Sequence, residues 1–189
     1  MTDISSAPNM PGYLHHVQWS VLHLERTRDK LVREYGMRLV AGRESHGRRE
    51  VVLQSGTVVF LVSETSDQVL VEDSEGGYPW LSSGREERDS VFNICLEVED
   101  VRQCHDRMTS QGAVSISPPR DLVTREGVLG MAVVSSPCTN LVHSLVSTGQ
   151  YRGHFLPGFS PLEEAGEGLE TSDLLTCIDH GTTLLSRFV

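Results

Sequence analysis

The fold is decided by residues 13–36, which read YLHHVQWSVLHLERTRDKLVREYG. Apolar and polar side chains alternate over Tyr13–Leu22, and this period of two predicts a half-buried strand. From Leu24 onward the apolar side chains recur at helical spacing, and Gly36 stands where a left-handed residue commonly ends a helix. The stretch therefore predicts a strand that leads directly into an amphipathic helix.

Three strand-like runs follow this helix, and the whole pattern then recurs further along the chain. The first set lies at residues 37–43, 48–54 and 57–63, separated by turn-forming dipeptides. The second copy has a strand at 91–98, a helix from Asp100 to Gly112, and strand-like runs at 113–117, 122–125, 130–135 and 140–147. The helix-ending glycines Gly36 and Gly112 are 112 − 36 = 76 residues apart, which indicates an internal duplication.

The duplication predicts an α+β fold of two paired βαβββ units, at about residues 13–63 and 91–148. One such unit would leave a face of its short sheet exposed to water. Two units side by side form a larger cupped sheet with the helices outside, and its concave face can hold a ligand.

Composition narrows the possible partners. The formal net charge is −10 and the sequence pI is about 5.2, so the surface repels phosphate backbones and we expect no nucleic-acid partner. No apolar run approaches the length of a membrane span, and residues 1–11 lack the features of a signal peptide. The four cysteines form no C-x-x-C pair, which favours free thiols over disulfides.

The segment after the second unit divides into two parts. Residues 149–173 are predicted to form a strap and linker, with aromatic, glycine and proline residues between Tyr151 and Leu162 that favour an ordered segment. Residues 174–189 start a new apolar run that leads into Asp179 and His180, and we interpret it as the start of a further domain.

The strap, taken together with the triplet Ile178-Asp179-His180, resembles the 4-hydroxyphenylpyruvate dioxygenase family of the vicinal oxygen chelate superfamily, and within it the dioxygenase-like branch. Residues 58–64 (VVFLVSE) and 133–137 (VVSSP) fit that branch as well. The resemblance implies a glyoxalase/dihydroxybiphenyl dioxygenase-like fold, with this chain as the N-terminal domain followed by a truncated C-terminal domain.

This resemblance also implies an activity. It indicates a non-haem Fe(II) dioxygenase that converts a small aromatic 2-oxo acid, 4-hydroxyphenylpyruvate, and O2 to 4-hydroxymandelate for coenzyme Q head-group synthesis. The alternative within the family is the homogentisate-forming enzyme of tyrosine catabolism. A mitochondrial location is implied, with the cytoplasm as the alternative because residues 1–11 form a weak presequence.

Iron of this class needs two histidines and one carboxylate on one face, with other positions open for substrate and oxygen. By the resemblance, His180 corresponds to the first iron ligand. The family's second histidine and its glutamate lie far downstream, whereas this sequence reaches Val189 nine residues later. We therefore expect the chain alone to be inactive, and no catalytic residue is assigned to it.

The doubled domain could also hold a site of its own. The positions that carry ligands in related folds hold His16, Asn93 and His143 here. Asparagine is a poor iron ligand and no carboxylate completes the set, so we predict a decayed site. Two alternatives remain open: a zinc or nickel lyase or isomerase that uses His16 and His143, and a non-catalytic binding or dimerising domain that forms a homo-oligomer.

Overall fold

A computed structural model describes residues 12–45, 47–65, 89–136, 141–162 and 175–179. Within these ranges the chain forms two helices and nine strands. In chain order they are β1 (Tyr13–Ser20), α1 (Leu24–Tyr35), β2 (Arg38–Ser45), β3 (Arg48–Ser55), β4 (Val58–Thr65), β5 (Ser90–Glu97), α2 (Val101–Ser110), β6 (Ser115–Thr124), β7 (Gly127–Ser135), β8 (Val142–Tyr151) and β9 (Ser160–Pro161). Neither helix is long and apolar enough to cross a bilayer.

All nine strands belong to one sheet, in the order β6-β7-β8-β5-β1-β4-β3-β2-β9. Within each unit the first and last strands are parallel neighbours, and β1 and β5 meet in antiparallel fashion at the centre. The first strands start 90 − 13 = 77 residues apart, and the helices start 101 − 24 = 77 residues apart. The predicted duplication of a βαβββ unit is therefore confirmed.

The two helices begin and end where local chemistry favours it. Gly36 follows α1 in the left-handed conformation, with φ of 63°, and its N–H donates to carbonyl oxygens of the last turn. Asp100 caps α2 by accepting a hydrogen bond from the Gln103 N–H at 2.9 Å. Each helix buries an apolar stripe against its own unit, led by Leu24 and Leu31 in α1 and by Val101 in α2.

One prediction about the second unit was wrong. The runs 113–117 and 122–125 are a single strand, β6, whose register shifts between Ser117 and Arg120. Pro118 and Pro119 lie at this irregularity. Because proline has no N–H to donate, it is tolerated at a bulge on an edge strand, and β6 is the last strand at this end of the sheet.

Of the predicted strap and linker (149–173), residues 149–151 belong to β8 and residues 163–173 lie outside the described residues. The remaining residues, 152–162, are from here on called the strap, and they cover the sheet face opposite the helices, here called the inner face. The strap leaves β8 in the second unit and reaches the first unit, where β9 pairs with β2. Leu156 and Phe159 are buried in a core cluster that includes Leu61 of β4 and Val133 of β7. The strap therefore closes the inner face and joins the two units.

Residues 175–179 pack against the β3–β4 turn of the first unit. The Leu175 N–H donates to Ser55 Oγ at 3.1 Å, and the Thr57 N–H donates to the Thr176 carbonyl at 3.3 Å. Leu175 and Ile178 contact the apolar cluster beneath α1.

Candidate functional site

A line of buried polar side chains crosses the inner face from one unit to the other. Asn93 on β5 donates to Gln18 on β1 at 3.1 Å, and Gln18 donates to Ser63 on β4 at 3.0 Å. On the other side, the Ser144 hydroxyl and N–H donate to Asn93 Oδ1 at 3.0 and 3.1 Å. Gln18, Asn93 and Ser144 are fully buried, so the line spans the seam between the units without contact to water.

Glu50 ends this line inside the first unit. Its Oε1 accepts a hydrogen bond from Ser63 Oγ at 3.0 Å and pairs with Arg48, while its Oε2 accepts one from Arg43 Nε at 2.7 Å. The Glu50 side chain is 1% exposed. Arg43 also donates to the Pro157 carbonyl at 3.0 Å and lies over the Phe159 ring. The carboxylate is therefore fully engaged by protein groups, and one of them holds the strap.

A second cluster lies on the inner face beside this line. His15, His16 and Cys95 place one ligand atom each within 4.8 Å of one another. A register irregularity between Leu14 and His16 brings both imidazoles together, with their Nδ1 atoms 2.7 Å apart. Phe155 of the strap packs on both rings, at centroid distances of 5.3 and 5.0 Å.

Burial sets the protonation of this cluster. Burial lowers the pKa of His16 well below its usual 6.5, and the neighbouring His15 lowers it further. Burial also lowers the pKa of His15, with a partial offset from Glu97. Burial raises the pKa of the Cys95 thiol, and the charge of Glu97 raises it further. Both imidazoles are therefore neutral near pH 7, and the thiol is protonated.

The structure separates the residues of the predicted decayed site. His16 and Asn93 both lie buried on the inner face, but they have different partners. His143 lies on the other face, because side chains alternate along β8 and its neighbours Val142 and Ser144 face inward. There the Ile94 backbone accepts its hydrogen bond. His180 lies outside the described residues.

Sequence reasoning missed several residues of the inner face, namely His15, Gln18, Glu50, Cys95 and Ser144. A signal was available for one of them. Gln18 is a polar residue between Val17 and Trp19 in a predicted strand, which is typical of buried polar groups that need partners. The contact of His15 with His16 depends on a register irregularity, and no sequence pattern indicates it.

The described residues do not fit the two-histidine, one-carboxylate set that the family resemblance implies for iron. The paired imidazoles have a thiol beside them, and the buried carboxylate of Glu50 is held by two guanidinium groups. No step of iron chemistry is therefore derived from this face.

Comparison with known proteins shows which proteins this chain is related to. The chain is 35% identical to the 4-hydroxyphenylpyruvate dioxygenase-like protein of Rattus norvegicus over 135 residues, which are 70% of this chain and 34% of the relative. It is 32% identical to the Homo sapiens protein of the same name over 153 residues, 80% of this chain and 39% of the relative. The chain belongs to the family of 4-hydroxyphenylpyruvate dioxygenase-like proteins.

The fold agrees with this family. A mutant of 4-hydroxymandelate synthase from Streptomyces coelicolor superimposes with a TM-score of 0.62 at 22% identity, over 84% of this chain and 44% of that one. The fold is accordingly the vicinal oxygen chelate fold. No family model matches the chain. The chain spans about a third of the length of its dioxygenase-like relatives.

Proposed function

We propose that this chain is the supporting, non-catalytic domain of a dioxygenase that oxidises 4-hydroxyphenylpyruvate with O2. The observation that carries the proposal is the inner face of a dioxygenase-family domain: the polar line from Asn93 through Gln18 and Ser63 to Glu50 pairs within itself, and the strap packs on this face. Polar groups paired in this way stabilise the domain, so within the described residues this line does not supply the open ligand set that a 2-oxo acid and oxygen would need.

In this proposal, iron(II) belongs to a site that includes His180 as its first ligand. The other two ligands, a histidine and a glutamate by family resemblance, are not supplied by the described inner face. Residues 175–179, docked on the β3–β4 turn, lead the chain to His180 from a fixed point on the first unit. The supporting domain would thus fix the start of the segment that carries the ligand.

The proposed product is 4-hydroxymandelate, with homogentisate as the alternative. Both arise when 4-hydroxyphenylpyruvate loses CO2 and gains both atoms of O2, so the two products are isomers. The proposed setting is coenzyme Q head-group synthesis in the mitochondrion.

The test compares the 189-residue chain with the product of the longest reading frame that contains it. Each protein receives Fe(II), ascorbate, 4-hydroxyphenylpyruvate and O2, and the isomeric products are separated chromatographically. We expect 4-hydroxymandelate from the longer protein only, and none from its His180→Ala variant. Turnover by the 189-residue chain would contradict its supporting role. Absence of a longer frame, or of turnover in it, would contradict the dioxygenase.

A dimerising role is a second candidate, favoured by the outermost strand β6. Large apolar side chains are exposed on β6 and on the residue before it: Val114 is 62%, Ile116 41% and Val123 79% exposed. Light scattering of the purified chain should then give a dimer mass that Val123→Lys returns to that of a monomer. A wild-type chain that is monomeric at all concentrations tested would exclude this role.

A further inference from the structure

The cluster of His15, His16 and Cys95 has no part in the proposed dioxygenase chemistry. Two of its members come from β1 of the first unit and one from β5 of the second. We infer that these three residues form a structural site for a thiolate-binding d10 metal ion, Zn²⁺ or Cu⁺, at the seam between the two units. The inference does not rest on the proposed function.

The spacing of the ligand atoms suits one shared ion. Zinc lies about 2.0–2.1 Å from a histidine nitrogen and about 2.3 Å from a cysteine sulfur. Ligand atoms around one such ion are therefore about 3–4 Å apart. Here one ligand atom from each residue already lies within 4.8 Å of the other two, so small side-chain movements would bring the three to these separations.

The cluster also contains a polar atom with no other role. Nε2 of His16 is buried and has no hydrogen-bond partner within the described part of the chain. The Nδ1 contact between His15 and His16 can use only one proton between two nitrogens. A buried imidazole nitrogen without a partner costs free energy, and it shares this state with Trp19 Nε1 and His143 Nδ1 among the described residues. An ion takes one nitrogen of each ring, so an ion bound at His16 Nε2, with one nitrogen of His15 and the Cys95 thiolate, would give this atom a partner.

The ligand set selects the kind of ion. Thiolate with imidazole favours Zn²⁺ or Cu⁺ over the harder ions that prefer oxygen ligands. Glu97 follows Cys95 by two residues on the same face of β5, so its carboxylate places negative charge beside the site. The three ligand residues themselves include no carboxylate, so this ligand set differs from the two-histidine, one-carboxylate set of an iron dioxygenase.

The surroundings make the site a closed one. Cys95 and His16 are fully buried, and Phe155 of the strap packs on both imidazoles. Burial beneath the strap fits a structural ion, although structural zinc takes four ligands; Zn²⁺ would therefore need a fourth group here, whereas three ligands suffice for Cu⁺. The ion would cross-link β1 to β5 beneath the strap and so hold the two units together.

The test uses the full chain, freed of metal by chelation under reducing conditions. Zn²⁺ and Cu⁺ are titrated separately against chromophoric chelators, and Co²⁺ is added to report thiolate ligation through its charge-transfer absorption. We expect one ion per chain, a Co²⁺–thiolate band, and a higher melting temperature with the preferred ion. The two titrations identify which d10 ion binds. Failure of both ions to bind stoichiometrically would overturn the site.

Variants assign the ligands. Loss of a group that only hydrogen-bonds to a metal ligand already weakens metal binding by about 10–100-fold, so we expect loss of a ligand itself in Cys95→Ala to weaken binding by at least about 100-fold and to abolish the Co²⁺ band. His15→Gln changes a less buried ligand and should weaken metal binding by a similar factor. It serves as the test if the Cys95→Ala protein does not fold. Cys104→Ala on α2 and the double variant Cys177→Ala/His180→Ala are controls that should bind as wild type. Equal affinity in His15→Gln and wild type would overturn the assignment.

Discussion

Glu50 is the residue on which the inner face of the first unit depends. Its buried carboxylate faces Arg43 and Arg48, whose side chains are only 12% and 8% exposed. This carboxylate compensates the charge of both buried guanidinium groups, so its loss would leave each of them without that partner. Arg43 in turn holds the strap through the Pro157 carbonyl.

Glu50→Gln should therefore destabilise the fold strongly. Removing one member of a buried ion pair typically costs about 3–5 kcal/mol, because the remaining charge is left uncompensated. The free energy of unfolding in urea measures this. Glu25→Gln is the matched control, since Glu25 pairs with the same residue type, Arg49, at an exposed position, and it should change stability little. Equal effects of the two substitutions would contradict a buried-charge origin.

His143 gives a residue-scale prediction about pH. Burial lowers its pKa below the usual 6.5, with a partial offset from the Ile94 backbone. Below pH 6.5 the unfolded chain thus binds more protons at this position than the folded one, so its contribution to stability is present at higher pH and is lost as pH falls. We expect His143→Gln to flatten the decline in unfolding free energy between about pH 7.5 and 5. An unchanged slope would show that His143 does not contribute.

The same residue shows what sequence could and could not predict of the site. His16 and Asn93 were grouped by analogy with related folds, whereas the alternation of Val17, Trp19 and Val21 predicts that His16 lies on the polar side of a half-buried strand. The structure places His16 and Asn93 on the inner face, fully buried, because the strap covers that face of β1 as well. His143 was placed with them, yet a displacement of one residue along a strand moves a side chain to the opposite face. The register of β8 against β5 is set by three-dimensional pairing, so sequence alone could not choose between His143 and Ser144.

At the scale of elements, the β3–β4 turn is where residues 175–179 dock. Gly56 has φ of 55° in this turn, and a Cβ built on it would lie 2.5 Å from the Leu175 carbonyl oxygen. Only glycine meets both requirements, since a left-handed conformation costs other residues about 1–2 kcal/mol and the backbone of residue 175 leaves no room.

Gly56→Ala should release the docked segment. Hydrogen exchange at the amides of Leu175 and Thr57, which donate across this contact, should accelerate markedly, while exchange in β7 stays nearly unchanged. Gly112→Ala is the control: Gly112 also has positive φ, at 102°, but a Cβ there meets nothing within 4 Å. If both variants altered exchange at Leu175 alike, backbone strain rather than the contact would be responsible.

The two helices and strand β6 differ in how well the sequence predicted them. Both helices were predicted because their caps and apolar stripes are local signals, as with Asp100 and Gly36. The continuous strand β6 was missed because two prolines normally interrupt a strand. They are accommodated here only because β6 lies at the edge and its register shifts beside them. Tolerance of the two prolines therefore depends on the position of β6 in the folded sheet, which no local sequence pattern shows.

For the whole molecule, the duplication predicts two similar units, but sequence does not say how independent they are. The structure joins them three times: by the antiparallel β1–β5 pairing, by the hydrogen bond from Asn93 to Gln18, and by the strap. The inner-face core draws its buried residues from both units without a boundary. Such continuity favours a single cooperative unit over two separable ones.

We therefore expect both units to unfold together. In native-state hydrogen exchange, the amides of Val62 in β4 and Val133 in β7 should report the same free energy of opening. Asn93→Ala leaves the buried Gln18 oxygen and the Ser144 hydroxyl without their partner, at about 1–3 kcal/mol for each unsatisfied group, and it should lower both values equally. Arg125→Ala, in the exposed β6–β7 turn, should lower neither. Protection lost at Val133 but kept at Val62 would mean that the first unit stands alone, because the seam would then carry no stability that the first unit needs.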